Sequence, residues 1–253
     1  VRDVAGMSIL ITGGGSGIGE GAARHFVELG ANVTIAGRRP EPLHRVGSEI
    51  GAGCLAVTGD VTVAADRARM VSAAVDHGGQ LDVLISNAGN MYRSDVADFD
   101  ETELLDIFNT NVVAGMMLCK EAHAHLAARQ GCIVFVGSVH TQRAFPNASP
   151  YAATKGALET LTAVLAAELG KDKIRVGCVR PGAVMTEINV RAGLTTTDEQ
   201  RERLDAMSSL HALGRIGTVQ EVAEAFEYLV RAEWTTGNVL TVDGGLGLGV
   251  TNE

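Results

Sequence analysis

The sequence predicts an α/β fold: a doubly wound parallel sheet of about seven strands with helices on both faces. Three observations carry this expectation. Short runs rich in Val, Ile and Leu recur along the chain, near-continuous rather than alternating, as strands buried on both faces are. Longer stretches of helical period separate them. The 31 glycines fall mostly in the turns between these runs and show no collagen-like period. No linker, repeat or low-complexity segment breaks the 253 residues, so one domain is expected over 1–253.

In chain order, Met7–Ile11 reads as the first strand and Gly17–Leu29 as a helix. Asn32–Ala36 is the second strand, with helix from about Glu41. Cys54–Val57 is the third, and Leu81–Ile85 the fourth, apolar apart from Asp82. Glu101–Ala128 reads as one long helical stretch. Cys132–Val136 is the fifth strand, ended by Ser138, and a helix opens around Tyr151. Arg175–Val179 and Val239–Val242 complete the strands, with a helix from about Val219 between them. Thr186–Leu213 is polar and long for a connection, so it is expected to carry short helices of its own and a function.

Composition narrows the function. The net charge is −9, with no Lys/Arg cluster, which argues against nucleic acid or an anionic membrane surface as partner. No apolar run reaches the ~18 residues of a membrane span, and Val1–Val4 shows no signal-peptide pattern. Cys54, Cys119, Cys132 and Cys178 form no Cys-x-x-Cys pair and sit in apolar or helical contexts. Buried reduced thiols and a cytoplasmic location are expected. No metal site is expected: His123 and His125, two apart on a helix, point in different directions.

Two constellations carry chemistry. Tyr151 and Lys155, four apart, share one helix face. An ammonium beside a phenol favours the phenolate, so such a pair can exchange a proton near neutral pH. Ser138 adds a hydroxyl to orient a substrate oxygen. Tyr-x-x-x-Lys alone is weak, since solvated helix faces show it by chance. The second constellation is Thr12-Gly13-Gly14-Gly15-Ser16-Gly17-Ile18-Gly19, between the first strand and the first helix. Glycine allows a sharp turn and close ligand approach, and a helix start offers N–H groups to a pyrophosphate. Strand before and helix after separate this run from an ordinary flexible turn.

With these residues the chain resembles the single-domain branch of the short-chain dehydrogenase/reductase family, from about Ser8 to Gly245. The resemblance implies a Rossmann-type fold, a dinucleotide-binding domain with a substrate-loop insertion at about 186–213, and hydride transfer between a nicotinamide and a carbonyl or secondary alcohol. Thr12, Gly13, Gly17 and Gly19 match the cofactor loop, to which Gly15, Ser16 and Ile18 belong. Asp60-Val61 matches the adenine contact, and Asn87-Ala88-Gly89 the motif flanking the cofactor. Pro181-Gly182, with Val184 and Thr186, matches the nicotinamide segment, and Val242-Asp243-Gly244-Gly245 the C-terminal motif. Asn111, Ser138, Tyr151 and Lys155 match the catalytic set. In that set Tyr151 exchanges the proton, Lys155 also binds the nicotinamide ribose, and Asn111 holds a water that links Lys155 to solvent. Gly177 departs from the family, which usually has Asn there.

For the cofactor, Gly37 stands where NAD-preferring members tend to carry Asp, and Arg38-Arg39 follows. An acid there would repel a 2′-phosphate, whereas a guanidinium can pair with one. NADP(H) is therefore favoured, with NAD(H) use also expected. The alternative for Arg38 and Arg39 is a solvated turn, and Ser16 sits where many NADP-preferring members have Lys or Arg. His140 and Arg143, in the loop after Ser138, are the substrate candidates, although His140 could equally be a solvated loop residue. Ser138-Val139-His140 resembles sugar dehydrogenases of the family, so a sugar, polyol or small ketone is expected. A 3-oxoacyl-carrier-protein reductase is the alternative. Its acidic partner calls for a basic docking surface, but the loop mixes Arg191, Arg201, Arg203 and Arg215 with Glu187, Asp198, Glu199, Glu202 and Asp205. An epimerase, dehydratase or lyase, and a non-catalytic dinucleotide-binding regulator, stay open as other uses of such a chain. A homotetramer, or at least a dimer, is implied by the resemblance, packed through the helices from Glu101 and Tyr151 and through the helix from Val219 with the last strand.

Overall fold

A computed structural model describes residues 1–250, apart from the side chains of residues 191, 200, 201 and 203. Seven strands, β1 (Ser8–Thr12), β2 (Asn32–Gly37), β3 (Cys54–Thr58), β4 (Val83–Ser86), β5 (Cys132–Val136), β6 (Arg175–Pro181) and β7 (Asn238–Val242), form one sheet. Their order is β3-β2-β1-β4-β5-β6-β7, and every neighbouring pair is parallel. The chain winds outward from β1 in one direction, then returns to β4 and winds in the other. That reversal opens a crevice beyond the carboxyl ends of β1 and β4.

The strands carry apolar residues on both faces because both are covered. Ile9, Ile11, Val33, Ile35, Val83, Ile85 and Val134 face one core, packed by α1 (Gly17–Glu28), α2 (Pro40–Ile50) and α9 (Val219–Arg231). Leu10, Ala36, Leu84, Ile133 and Phe135 face the other, under α3 (Ala64–Gly78), α5 (Ala114–Arg129) and α6 (Ser149–Leu169). Alternation along each strand thus divides its residues between two cores. Local chemistry sets the helix starts. Pro40 occupies the first turn of α2. In α9, Thr218 Oγ1 accepts from Glu221 N–H while the Glu221 carboxylate accepts from Thr218 N–H. Gly177, on β6, leaves room for Leu229 of α9: a methyl there would come within 3.0 Å of its Cδ1.

Two boundaries differ from the sequence reading for physical reasons. β4 begins at Val83 rather than Leu81, because buried Asp82 is spent on the sheet's lower edge. Its carboxylate accepts from Ser8 N–H at 2.9 Å, Gln80 Nε2 at 2.8 Å and Arg129 Nε at 3.0 Å. The stretch expected as one helix over Glu101–Ala128 is α4 (Glu101–Phe108), one π-helical turn (Asn109–Val113) and α5. The wider turn brings Asn111 inward, where it is buried. The 186–213 segment does carry short helices, α7 (Ile188–Arg191) and α8 (Thr197–Ala206). No helix among the described residues is long and apolar enough to cross a membrane.

Candidate active site

The crevice is built first by the ends of β1 and β4. Thr12 Oγ1 accepts from Asn87 N–H at 3.1 Å and Ala88 N–H at 3.0 Å, and Asn87 Nδ2 donates to Thr12 O at 2.8 Å. These bonds hold the glycine loop against the β4 loop. Gly13 has φ +71°, and a methyl on it would lie 2.8 Å from Asn87 Nδ2. A methyl on Gly19 would strike the Gly13 carbonyl oxygen. Any larger residue at either position would push the α1 start away from the strand ends. Ser16 enters α1 in an extended conformation, so the first N–H groups of the helix open toward the cleft.

The cleft above is lined on this side by Gly13, Ser16, Gly17, Ile18, Asn87, Ala88 and Gly89. Ser138, His140, Tyr151 and Lys155 line it too, as do Pro181, Gly182, Val184 and Thr186. Ser138, Tyr151 and Lys155 of the expected catalytic set thus share one cavity with the residues expected to face the nicotinamide, while Asn111 is buried behind its lining. Ser138 is positioned differently from the sequence reading: β5 stops at Val136, and Ser138 caps a single 3₁₀ turn, Val139–Thr141. Thr141 Oγ1 lies 2.9 Å from Ser138 O and 2.8 Å from Glu159 Oε1, and Arg180 grips the same carboxylate. This half-buried network fixes the serine turn to α6 and β6.

Tyr151 and Lys155 lie in the first turns of α6, both buried. The ammonium sits 5.4 Å from the phenol ring centroid and donates to Val136 O at 2.8 Å. Asn111 takes the other side. Its Oδ1 accepts from Asn90 N–H at 2.8 Å, and its Nδ2 donates to Asn90 O and Thr154 Oγ1, both at 3.0 Å. Thr154 Oγ1 in turn donates to Tyr151 O at 2.7 Å. Asn111 therefore connects the loop below the cleft to the helix that carries the tyrosine and lysine.

Other expected residues lie apart from this centre. Arg38, Asp60 and Thr62 line a second, polar cavity with Asn90 and Tyr92, and Arg38 Nη1 is 3.7 Å from Asp60 Oδ2. Val61 is buried in the core under α3. Arg39 reaches from the end of β2 to Ser16 Oγ at 3.3 Å and to the Glu187 carboxylate at 3.0 Å, joining the glycine loop to the 186–213 segment. Gly15 packs its backbone against Leu43. Arg143 does not line the cleft; its guanidinium donates to Leu246 O at 3.0 Å and ties the serine loop to the C-terminal segment. Of the arginines weighed for a basic docking surface, the side chains of Arg191, Arg201 and Arg203 lie outside the described residues, and Arg215 is paired with Glu221.

Several lining residues carried no signal in the sequence. Met91 and Arg93 arrive from the loop after Gly89, Ile188, Leu204 and Met207 from the 186–213 segment, and Leu246 from beyond β7. These residues sit on loops and on short helices without a clear apolar stripe, and they meet only through folding. Among the described residues no cluster of His, Cys, Asp and Glu could hold a metal ion, and His123 pairs with Asp172.

A family model described as enoyl-(acyl carrier protein) reductase matches residues 13–247. The chain is 34% identical over 249 residues to a tropinone reductase homolog of Arabidopsis thaliana, covering 96% of this chain and 92% of that protein. It is 34% identical over 252 residues to a glucose 1-dehydrogenase of Gluconobacter oxydans, covering 96% and 93%. Among solved structures, a short-chain dehydrogenase/reductase of unknown function from Caenorhabditis elegans, determined with cofactor, has a TM-score of 0.91 at 28% identity and covers 98% of each chain. The 3-ketoacyl-(acyl-carrier-protein) reductase of Brucella melitensis complexed with NADH has a TM-score of 0.86 at 32% identity, covering 96% of this chain and 99% of that one.

Proposed function

The chain belongs to the short-chain dehydrogenase/reductase family of oxidoreductases, and we propose that it acts between NADP(H) and a carbonyl compound or secondary alcohol of largely apolar body. The observation that carries this reading is the meeting of Ser138, Tyr151 and Lys155 with the glycine loop in one cleft. The residues fit a dinucleotide: the backbone cradle at Gly13 and Gly19 has no room for a side chain, and α1 starts beside it. Gly13, Gly15, Ser16, Gly17, Ile18 and Gly19 would hold the pyrophosphate. Asp60 and the backbone of Val61 would flank the adenine, and Asn87 to Gly89, Pro181, Gly182, Val184 and Thr186 the nicotinamide half. When bound, the nicotinamide supplies or accepts the hydride. Tyr151 gives its hydroxyl proton to the substrate oxygen in reduction and takes one back in oxidation. Ser138 holds that oxygen by a hydrogen bond. Lys155 keeps a positive charge beside the phenol, and Asn111 fixes the helix that carries both.

The absence of an acid at Gly37, with Arg38 and Arg39 following, supports NADP(H) over NAD(H). Both guanidiniums already face a carboxylate, Asp60 or Glu187, which moderates the preference and leaves NAD(H) usable. For the substrate, Met91, Val139, Phe145, Ile188, Leu204, Met207 and Leu246 give the cavity an apolar wall. A sugar needs a hydrogen-bond partner for most of its hydroxyls, and a desolvated hydroxyl without one is costly. This wall favours a ketone over a sugar or polyol. Against an acyl-carrier-protein substrate, Arg215 is neutralised by Glu221. Exposed Leu105 on α4, Val113 on the π-helical turn and Met116 on α5, with Val164 on α6, support a homo-oligomer through that face, and a tetramer if Tyr228 and Trp234 join a second. The buried free thiols support a reducing compartment such as the cytoplasm.

Nicotinamide absorbance measured with alicyclic and aromatic ketones, aldoses, polyols and a 3-oxoacyl thioester tests the reading. Reduction of apolar ketones is expected, with Tyr151→Phe slower by roughly 10²–10⁴-fold at unchanged cofactor affinity. Turnover of aldoses alone, or near-normal turnover in Tyr151→Phe, would refute it.

A further inference from the structure

Ser138 Oγ lies 3.0 Å from His140 Nδ1, and the backbone N–H of His140 donates to the same oxygen at 3.3 Å. The other ring nitrogen, Nε2, lies 3.4 Å from Arg93 Nη2. A guanidinium has donors only, so Nε2 accepts at that contact. A neutral imidazole whose Nε2 accepts carries its proton on Nδ1. Nδ1–H therefore donates to Ser138. The ring cannot easily turn to reverse this. Phe145 packs against it at a centroid distance of 4.5 Å, and its edge meets the Tyr151 ring at 5.2 Å and 84°.

Two N–H groups then point at Ser138 Oγ and occupy both of its lone pairs. The hydroxyl's own hydrogen is left to turn into the cleft. We infer that His140, oriented by Arg93, is a positioning residue that makes Ser138 a dedicated hydrogen-bond donor to the reacting oxygen. With the opposite ring tautomer, Ser138 would donate to Nδ1 and present only lone pairs, which repel a carbonyl oxygen. A carbonyl and the alcohol formed from it both accept through a lone pair, so one fixed donor serves both directions of the reaction. This inference rests on the reading of Ser138 as the group that holds the substrate oxygen. It also gives His140 a different task from direct substrate contact, because both of its ring nitrogens are already engaged.

The test is a double-mutant cycle in steady-state kinetics, with cofactor affinity measured on every variant to show that the cleft is intact. The variants are Ser138→Ala, His140→Phe, His140→Asn and Arg93→Met, and the last three again in the Ser138→Ala background. His140→Phe is expected to lower kcat about tenfold with KM little changed, a partial version of losing an oxyanion donor. His140→Asn places an amide N–H near the position of Nδ1 and is expected to recover most of that loss. Arg93→Met is expected to lower kcat in the same direction. In the Ser138→Ala background, none of the three substitutions should slow the enzyme further. Multiplicative losses in that background would overturn the inference and make His140 or Arg93 a substrate contact. Equal rates for His140→Asn and His140→Phe would overturn the assigned proton. If Ser138→Ala itself turned over normally, the active-site reading would fail and the inference with it. A slow Ser138→Ala with an additive cycle would remove the inference alone.

Discussion

Replacing Asn111 by Leu tests whether the polar link beneath the cleft holds the site together. The substitution keeps roughly the side-chain volume and removes an amide that is 2% exposed. Three bonds go with it: Asn90 N–H at 2.8 Å, Asn90 O at 3.0 Å and Thr154 Oγ1 at 3.0 Å. Thr154 keeps its bond to Tyr151 O, so it loses an input and is not stranded. The two Asn90 backbone groups are left facing hydrocarbon, at about 1–3 kcal/mol each when buried. Asn90 is only half-buried, so the total is set at about 2–3 kcal/mol. For a chain of this size, ~2 °C of melting temperature goes with each kcal/mol, giving a fall of about 4–6 °C. Asn111→Asp should do no better. One carboxylate oxygen keeps the Asn90 N–H, but the other then faces Asn90 O and a threonine oxygen whose proton is already committed. Thermal unfolding followed by circular dichroism measures both variants. A melting temperature within about 1 °C of wild type for Asn111→Leu would refute the reasoning. So would a wild-type melting temperature for Asn111→Asp.

The remaining expectations concern the cofactor, acid stability and the thiols. Arg38→Ala and Arg39→Ala should each weaken NADP binding by about tenfold, the worth of a charge-assisted bond, and barely change NAD binding; kcat/KM for both cofactors checks this, and equal losses would count against it. The Arg215 guanidinium, aided by the Thr218 N–H, holds the Glu221 carboxyl down at about 2 from an ordinary 4.5. A depressed folded value contributes stability above the unfolded value that is lost as pH falls through the folded one. The melting-temperature gap between wild type and Glu221→Gln should therefore be largest above about pH 5 and close toward pH 2; a gap independent of pH would exclude the carboxylate as its cause. Burial pushes the Cys119 and Cys178 thiols up to about 12 and Cys54 to about 11. Ellman's reagent at mildly alkaline pH should find no fast thiol in the native protein and all 4 cysteines after denaturation; rapid native labelling would show that a cysteine is exposed.

Much of this protein was determined locally. Short Val/Ile/Leu runs set off by turns carry the strand signal, and burial of both faces of the sheet follows from their near-continuous apolarity. The glycine loop between β1 and α1 is legible because a turn that admits no Cβ leaves a direct mark on the sequence. Tyr151 and Lys155 are legible because four residues on a helix is a fixed distance. The tertiary structure decided the rest. Asp82 looks like a flaw in an apolar strand until Ser8, Gln80 and Arg129 converge on it. Asn111 lies in what reads as uninterrupted helix, because one π-helical turn costs the local pattern nothing visible. Arg143 and His140 look alike in one loop, yet the fold turns Arg143 to the C-terminal carbonyls and sets His140 between Ser138 and Arg93. Arg93, Met207 and Leu246 come together from segments far apart in the chain. Backbone conformation depends on near neighbours, so sequence can specify it. The orientation of a polar side chain depends on partners brought from afar, and those exist only once the sheet and its helices have packed.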